Sequence, residues 1–180
     1  MTVPAGAALF ETPIGRCGIG WHGNAVCGVQ LPERSDEVTL RRVRAKVSQP
    51  EDGEIPETIN AAIEAMRSLL EGEPLDLRFI DVDLDSPSPF DAAVWEVTRS
   101  IDPGQSLTYG EVAERIGQPQ AAQAVGRSLG ANPCPIVVPC HRVLGADGRL
   151  VGFSANGGTA TKRKMLLIEG CPAVPPSLFD

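Results

Sequence analysis

The stretch Asn132-Pro133-Cys134-Pro135-Ile136-Val137-Val138-Pro139-Cys140-His141-Arg142-Val143 constrains this 180-residue chain more than any other. Three prolines in seven positions fix the backbone there, because each ring locks its own φ and removes an N–H donor. A cysteine followed directly by His and Arg stands at the end of this stiff segment. A thiol of ordinary pKa is only a few per cent thiolate near neutral pH, so a nucleophilic cysteine needs a nearby base or positive dipole. His141 can be that base, directly or through a water, with a carboxylate holding its other ring nitrogen. A bare Cys-His pair, however, reads more simply as chance, with Cys140 a small buried apolar side chain.

The rest of the chain divides at Asp85-Ser86-Pro87-Ser88-Pro89, the junction that turn-forming residues mark best. Before it, residues 8–31 read as short strands with turns at Pro13-Ile14-Gly15 and Gly23-Asn24. Residues 48–57, with Pro50 and Pro56, read as a loop. Ile59, Ala62, Ile63, Met66, Leu69 and Leu70 then trace one helix face that Gly72 and Pro74 stop. Residues 75–84 alternate apolar and polar, which predicts a strand. After the junction, Phe90, Ala93, Val94, Val97 and Ile101 trace a second helix face, ended by Asp102-Pro103-Gly104. Thr108-Tyr109-Gly110-Glu111 fits a capping box, with a hydroxyl at the N-cap and a carboxylate three residues on. A short helix to Ile116, a turn at Gly117-Gln118-Pro119 and a helix from Gln120 to Leu129 follow.

Two helices around a tight turn make a helix-turn-helix candidate. Ala122, Val125 and Leu129 share one face of the second helix, and Gln120, Gln123, Ala124 and Arg127 occupy the other. Such a small, hydrogen-bonding face suits a nucleic-acid groove and equally suits tight helix packing. The net charge of -7 argues against nucleic acid only when taken whole. Residues 1–89 carry 15 acidic and 8 basic side chains, whereas residues 90–169 carry 7 and 8, so the second half can approach phosphates. No apolar run reaches the ~20 residues of a membrane span, and no secretory signal is legible, so no membrane partner is expected. Five cysteines at irregular spacing then predict reduced thiols in a cytoplasmic protein. Cys17, His22 and Cys27 lack a clear fourth ligand, so no metal is expected. Cys134 and Cys171 are assigned to packing or to exposed thiols, and Lys162-Arg163-Lys164 to a solvated helix face.

Pro139-Cys140-His141-Arg142-Val143, preceded by Asn132-Pro133, resembles the active-site signature of the 6-O-alkylguanine-DNA alkyltransferases. Ser88-Pro89-Phe90 with Val94-Trp95, the Pro103-Gly104 to Ala113 segment and Ala121-Ala122 through Gly126 extend the resemblance. Phe10-Glu11-Thr12-Pro13-Ile14-Gly15 adds a looser match near the start. The resemblance implies an α/β domain over residues 1–85, a small ribonuclease H-like sheet with one packed helix. It also implies a mostly helical domain with a winged helix-turn-helix over 86–170, and a tail over 171–180.

The implied activity is transfer of an alkyl group from the 6-oxygen of a flipped guanine, or the 4-oxygen of thymine, in duplex DNA to Cys140, once per molecule. No cofactor is implied, and the protein acts as a monomer. His141 relays the thiol proton and Glu169 orients His141. Tyr109 donates a hydrogen bond near the leaving guanine, and Asn132 braces the turn. Val143, Ser154, Arg142 and Phe153 line or tie the base pocket, while Gln123, Arg127, Ala124, Gln120, Thr108 and Ala122 face DNA.

Three positions depart from the family pattern. Gln123 stands where relatives carry an intruding arginine, Phe153 replaces a frequent tyrosine, and Ala155-Asn156-Gly157-Gly158 runs one residue longer. The rival expectations are a non-catalytic module that binds alkylated bases and a Cys-His-Glu hydrolase of small molecules.

Overall fold

The structure is a computed structural model that describes residues 4–176. Three strands, β1 (Ala5–Phe10), β2 (Cys17–His22) and β3 (Ala25–Gln30), form an antiparallel sheet in that order, joined by the two turns expected. Alternation splits the sheet into two faces. Cys17, Ile19 and Trp21 enter the main apolar cluster with Ile59, Ala62, Ile63 and Met66 of α2 (Glu57–Leu70), as the spacing predicts.

The opposite face carries Gly18 and Gly20, and it is covered by a helix the sequence reading missed, α1 (Asp36–Arg44). A Cβ at Gly18 would meet Val43 Cγ1 at 2.7 Å, and one at Gly20 would meet Val47 Cγ2 at 2.6 Å. Bare glycine backbone on the sheet therefore leaves room for Val43 and Val47 to pack against it, so α1 needs few apolar residues of its own. Its caps were nonetheless legible. Ser35 accepts from Val38 N at 3.3 Å, Asp36 and Glu37 fill the first turn, and Arg41, Arg42 and Arg44 fill the last.

The strand expected over residues 75–84 is not formed. Only Val82 pairs, in a single parallel bridge to Val26. Leu77 and Ile80 are buried while Phe79 is exposed, a turn-like spacing of three. Asp76 accepts from the Arg78 N–H at 2.8 Å, and the Arg99 guanidinium donates to the carbonyls of Arg78 and Ile80 at 3.2 and 2.9 Å. Local side-chain bonds thus compete successfully with a ladder.

Beyond the junction come α3 (Pro89–Arg99), α4 (Tyr109–Arg115), α5 (Ala122–Gly130) and α6 (Thr159–Ile168). The capping box of α4 is complete, with Thr108 Oγ1 accepting from Glu111 N at 3.1 Å and the Glu111 carboxylate accepting from Thr108 N at 2.6 Å. Trp95 of α3 donates to the Ser128 carbonyl of α5 at 3.3 Å. Helix α5 begins at Ala122, not Gln120, because Ala121 N closes a turn onto Gln118 O at 2.9 Å. Two short strands, β4 (Leu107–Thr108) and β5 (Val143–Leu144), pair in parallel and tie α4 to the segment after Cys140.

One apolar cluster runs from Phe10 and Ile19 through α2 to Val94, Val125, Val138 and Met165, so both halves of the chain share a core. Cys171 and Val174 are buried against Leu144 and Leu166, so the expected tail begins as packed chain. Its residues 177–180 lie outside the described residues, as do residues 1–3 of the expected first domain. Among the described residues no helix is long and apolar enough to cross a membrane.

Candidate active site and groove

The proline-rich segment delivers Cys140 on a single 3-10 turn, Cys140–Arg142, directly after Pro139. Its backbone is held from within. Val138 N donates to Cys134 O and Cys140 N to Val138 O, both at 2.8 Å. Asn132 clamps both ends, its Nδ2 donating to Val138 O at 2.8 Å and its Oδ1 accepting from Cys134 N at 3.0 Å. Ile136 sits at φ 74°, a left-handed conformation that a β-branched residue adopts only when surrounding packing enforces it.

Cys140 is half-buried in a cavity of about 220 Å³ lined also by Tyr109, Asn132, Gly152, Phe153 and Ser154. Burial pushes its thiol up. An Asn132 hydrogen bond, the Lys162 ammonium and the backbone N–H groups of Cys140 and His141 act against that. Cys17 and Cys134 are pushed up by burial to about 12, and Cys27 to about 11. All five cysteines are free thiols.

Behind Cys140 lies a buried trio. His141 is 1% exposed and its Nε2 meets Glu169 Oε1 at 2.8 Å. Arg142 grips the same carboxylate with Nε at 3.0 Å and Nη2 at 2.9 Å, and donates from Nη1 to Ile101 O at 2.6 Å. Gly104, at φ 80°, closes the remaining side and donates its N–H to Glu169 Oε2 at 3.3 Å. A Cβ there would stand 2.9 Å from the Glu169 carbonyl, so the Pro103-Gly104 turn requires glycine.

Burial raises the Glu169 carboxyl, but His141 and the two-pronged Arg142 outweigh it and hold the group down at about 2. Burial also depresses His141, and Glu169 only partly offsets this, because the Arg142 and Lys162 charges act with burial. Its surroundings therefore favour the neutral imidazole. Its Nε2 carries the proton toward an oxygen that can only accept, and Nδ1 is left as the basic nitrogen. Nδ1 is buried with no hydrogen-bond partner among the described residues.

Tyr109 donates its hydroxyl to Val151 O at 3.1 Å at the cavity edge. Lys162 is a correction to the solvated face expected for the Lys162-Arg163-Lys164 run. It is 0% exposed, donates to Val143 O at 2.5 Å and Val151 O at 3.1 Å, and lies over the rings of Tyr109 and Phe153 at 5.6 and 5.8 Å. Burial lowers its pKa to about 8, with Cys140 pulling the other way. The signal for this lay in helix phase, since Lys162, Met165 and Leu166 share one buried face.

Of the expected pocket residues, Phe153 and Ser154 line the cavity and Arg142 and Val143 do not. Arg142 instead ties the site to its scaffold, as also expected, through Glu169 and Ile101, and the buried Val143 offers its carbonyl to Lys162. A wall formed by Gln30, Glu33, Arg42 and Lys46 from the first half was not anticipated.

The residues expected to face DNA sit around a second, open depression of about 1030 Å³. Thr108, Ala122, Gln123 and Arg127 line it together with Tyr109, Arg149 and Val151, whereas Gln120 and Ala124 do not. Gln120 is in the turn before α5, and Ala124 is half-buried. Arg149 and the exposed Val151 went unread in the sequence because they sit in an irregular loop with no periodicity. No three His, Cys, Asp or Glu side chains gather as a metal-binding group among the described residues. Cys17 is in the core, and His22 pairs with Asp83 at 3.5 Å.

Comparison with known proteins agrees with this geometry. Residues 89–171 match the family described as 6-O-methylguanine DNA methyltransferase, DNA binding domain. The methylated-DNA–protein-cysteine methyltransferase of Mycobacterium bovis is 34% identical over 173 residues, covering 95% of this chain and 96% of that protein. That of Haemophilus influenzae is 47% identical over 85 residues, covering 47% and 46%. The structure of Mycobacterium tuberculosis OGT in complex with DNA superposes with a TM-score of 0.75 at 32% identity, covering 97% of this chain and 99% of that one. With a relative more than a third identical along nearly the whole of both chains, this chain belongs to the methylated-DNA–protein-cysteine methyltransferase family.

Proposed function

We propose that this protein reverses alkylation damage in duplex DNA by moving an alkyl group from the 6-oxygen of guanine to Cys140. The observation that carries the reading is the half-buried Cys140 thiol, followed directly on the same 3-10 turn by a buried His141 whose Nε2 is anchored on Glu169 and whose Nδ1 has no partner among the described residues. His141 Nδ1 takes the thiol proton, directly or through a water, while Nε2 stays anchored on Glu169. The sulfur then attacks the alkyl carbon. The S–C bond forms as the C–O bond breaks, and the electron pair leaves on the guanine, which Tyr109 stabilises by hydrogen bonding. Lys162 supplies a positive charge beside the thiolate, and Asn132 donates to it. The product on Cys140 is a thioether, whose S–C bond water does not readily cleave, so each molecule acts once. The same chemistry extends to the 4-oxygen of thymine.

The finer architecture follows the same reading. Residues 1–85 form a ribonuclease H-like domain, 86–170 a domain with a winged helix-turn-helix, and 171–180 a tail. In the second domain α4 and α5 are the helix pair, and the loop after β5, closed by Gly145 N donating to Arg149 O at 2.8 Å, is the wing. Gln123 enters the stack beside the flipped base and Arg127 meets phosphate. The protein binds DNA as a monomer in the cytoplasm.

The test is incubation with duplex DNA carrying 6-O-methylguanine, followed by peptide mass mapping. One methyl per protein, on Cys140, is expected. Multiple turnovers, or methyl on another cysteine with Cys140 bare, overturn the reading. Cys140→Ser is expected to bind the DNA and leave it methylated.

A further inference from the structure

The first half of the chain contributes no group to the chemistry above, yet it is bonded to the turn that carries it. Val29 of β3 donates its N–H to Pro133 O at 2.9 Å. The Lys46 ammonium, two residues beyond α1, donates to the same Pro133 carbonyl at 3.0 Å and to Val29 O at 2.5 Å. One cation thus staples the sheet to the residue next to Asn132.

The staple is built into the sheet. A Cβ at Gly28 would stand 2.8 Å from Lys46 Cδ and 2.9 Å from its Cβ, so the bare backbone of Gly28 is the bed on which the Lys46 stem lies. Lys46 also lines the Cys140 cavity. From Pro133 the connection is short. Asn132 bridges Cys134 N and Val138 O, within the turn that carries Cys140, and it is among the groups that favour the ionised thiol.

We propose that Lys46 is a positioning residue for the transfer reaction, acting through Pro133 and Asn132 to hold the Cys140 thiol in its reactive setting. This rests on the alkyltransferase reading above. It gives the N-terminal sheet a task, since the sheet determines how firmly the Asn132 amide is aimed. A half-buried ammonium held by two carbonyls, with no carboxylate among its ion-pair partners, costs stability. Burial lowers its pKa, and Glu33, Arg42, Cys27 and Cys134 are the charged or titratable groups that face it. Lys162 of α6, Tyr109 of α4 and the adjoining His141 act on Cys140, and Glu33, Arg42 and Lys46 itself line the same cavity. Lys46→Met also removes a charge from that cavity, so Gly28→Ala, which displaces the stem and keeps the charge, is run beside it to separate the Asn132 path from the lost field.

The experiment uses the full chain. Lys46→Met keeps the stem over Gly28 and removes the ammonium, and Lys46→Arg restores a cation that can reach both carbonyls. Cys140 modification by iodoacetamide is followed against pH by peptide mapping, beside single-turnover transfer from 6-O-methylguanine duplex and melting temperature.

Lys46→Met is expected to move the midpoint of the iodoacetamide profile up by about one pH unit and to slow transfer near neutral pH about tenfold. Lys46→Arg should recover most of both. An unchanged midpoint and transfer rate, whatever the melting temperature does, makes Lys46 a stability staple alone and overturns the proposal. If Lys46→Met does not fold, Gly28→Ala displaces the stem with its charge intact, and the same two readouts decide. Failure of the wild-type protein to accept methyl from DNA refutes the functional reading instead, and the iodoacetamide arm still reports the link.

Discussion

The C-terminal half holds two surfaces built on opposite physical terms. Around Cys140, the charged groups are buried, and their protonation is set by one another. Glu169 has a side chain 2% exposed, His141 is favoured in its neutral form, and Arg142 serves the carboxylate rather than any ligand. Around α5, the polar groups are exposed, and Gln123, Arg127 and Arg149 rim an open depression. Buried charges act at full strength and tolerate no loss of a partner. Exposed ones act through solvent and are weakened by salt. The difference teaches that chemistry and DNA holding are separable here, and that substitutions on one surface are expected to leave the other unchanged.

The largest effect belongs to Glu169. Glu169→Ala frees the His141 ring and strands the buried Arg142 guanidinium. Transfer is expected to slow by about 100-fold, the scale of a lost general base. Stability is expected to fall by about 3 kcal/mol near neutral pH. The pH dependence follows from a carboxyl held down at about 2 in the fold. The stabilisation is complete above the unfolded carboxyl pKa of about 4.3 and is lost as pH falls toward the folded value. The melting-temperature gap between wild type and Glu169→Ala should therefore close between about pH 5 and pH 2. A gap that persists unchanged into acid would mean the carboxylate's charge is not what stabilises the trio.

Arg127→Ala comes next and should act on the groove alone. The slope of log affinity against log salt on duplex DNA is expected to become shallower by about 0.9, one phosphate contact. Transfer to Cys140 from saturating duplex should be unchanged. A salt slope equal to that of wild type would remove Arg127 from the DNA-facing set.

The same contrast separates what the sequence disclosed from what it withheld. Local rules sufficed where one short segment fixes its own geometry. The Thr108–Glu111 capping box, the two hairpin turns and the proline-stiffened Cys140 segment formed as read. The rules failed where the partner lies far along the chain. Helix α1 was invisible to periodicity because Gly18 and Gly20 of the sheet supply the room that its few valines fill. The alternation over residues 75–84 was real but lost to Asp76, Arg78 and Arg99 bonds. Lys162 sits in a basic run that reads as solvated until the buried face of α6 is known. Arg142 was expected to tie the site to its scaffold and does so, but its partners, Glu169 27 residues on and Ile101 O, lie beyond any local rule.

The smallest expected effect gives the sharpest discrimination, because Gln123 is an exposed, uncharged side chain on the groove. Gln123 can fill the gap left by a flipped base and hydrogen-bond the orphan partner, but it adds no charge. The decisive measurement is the ratio of single-turnover transfer rates on duplex 6-O-methylguanine and on the free base, which needs no flipping. The account predicts that Glu169→Ala slows both substrates by the same factor and leaves the ratio at its wild-type value. Gln123→Ala should slow the duplex about tenfold and leave the free base untouched, so that the ratio falls. Equal slowing of both substrates by Gln123→Ala, or a ratio shifted by Glu169→Ala, would contradict the division between a buried chemical site and an exposed holding surface.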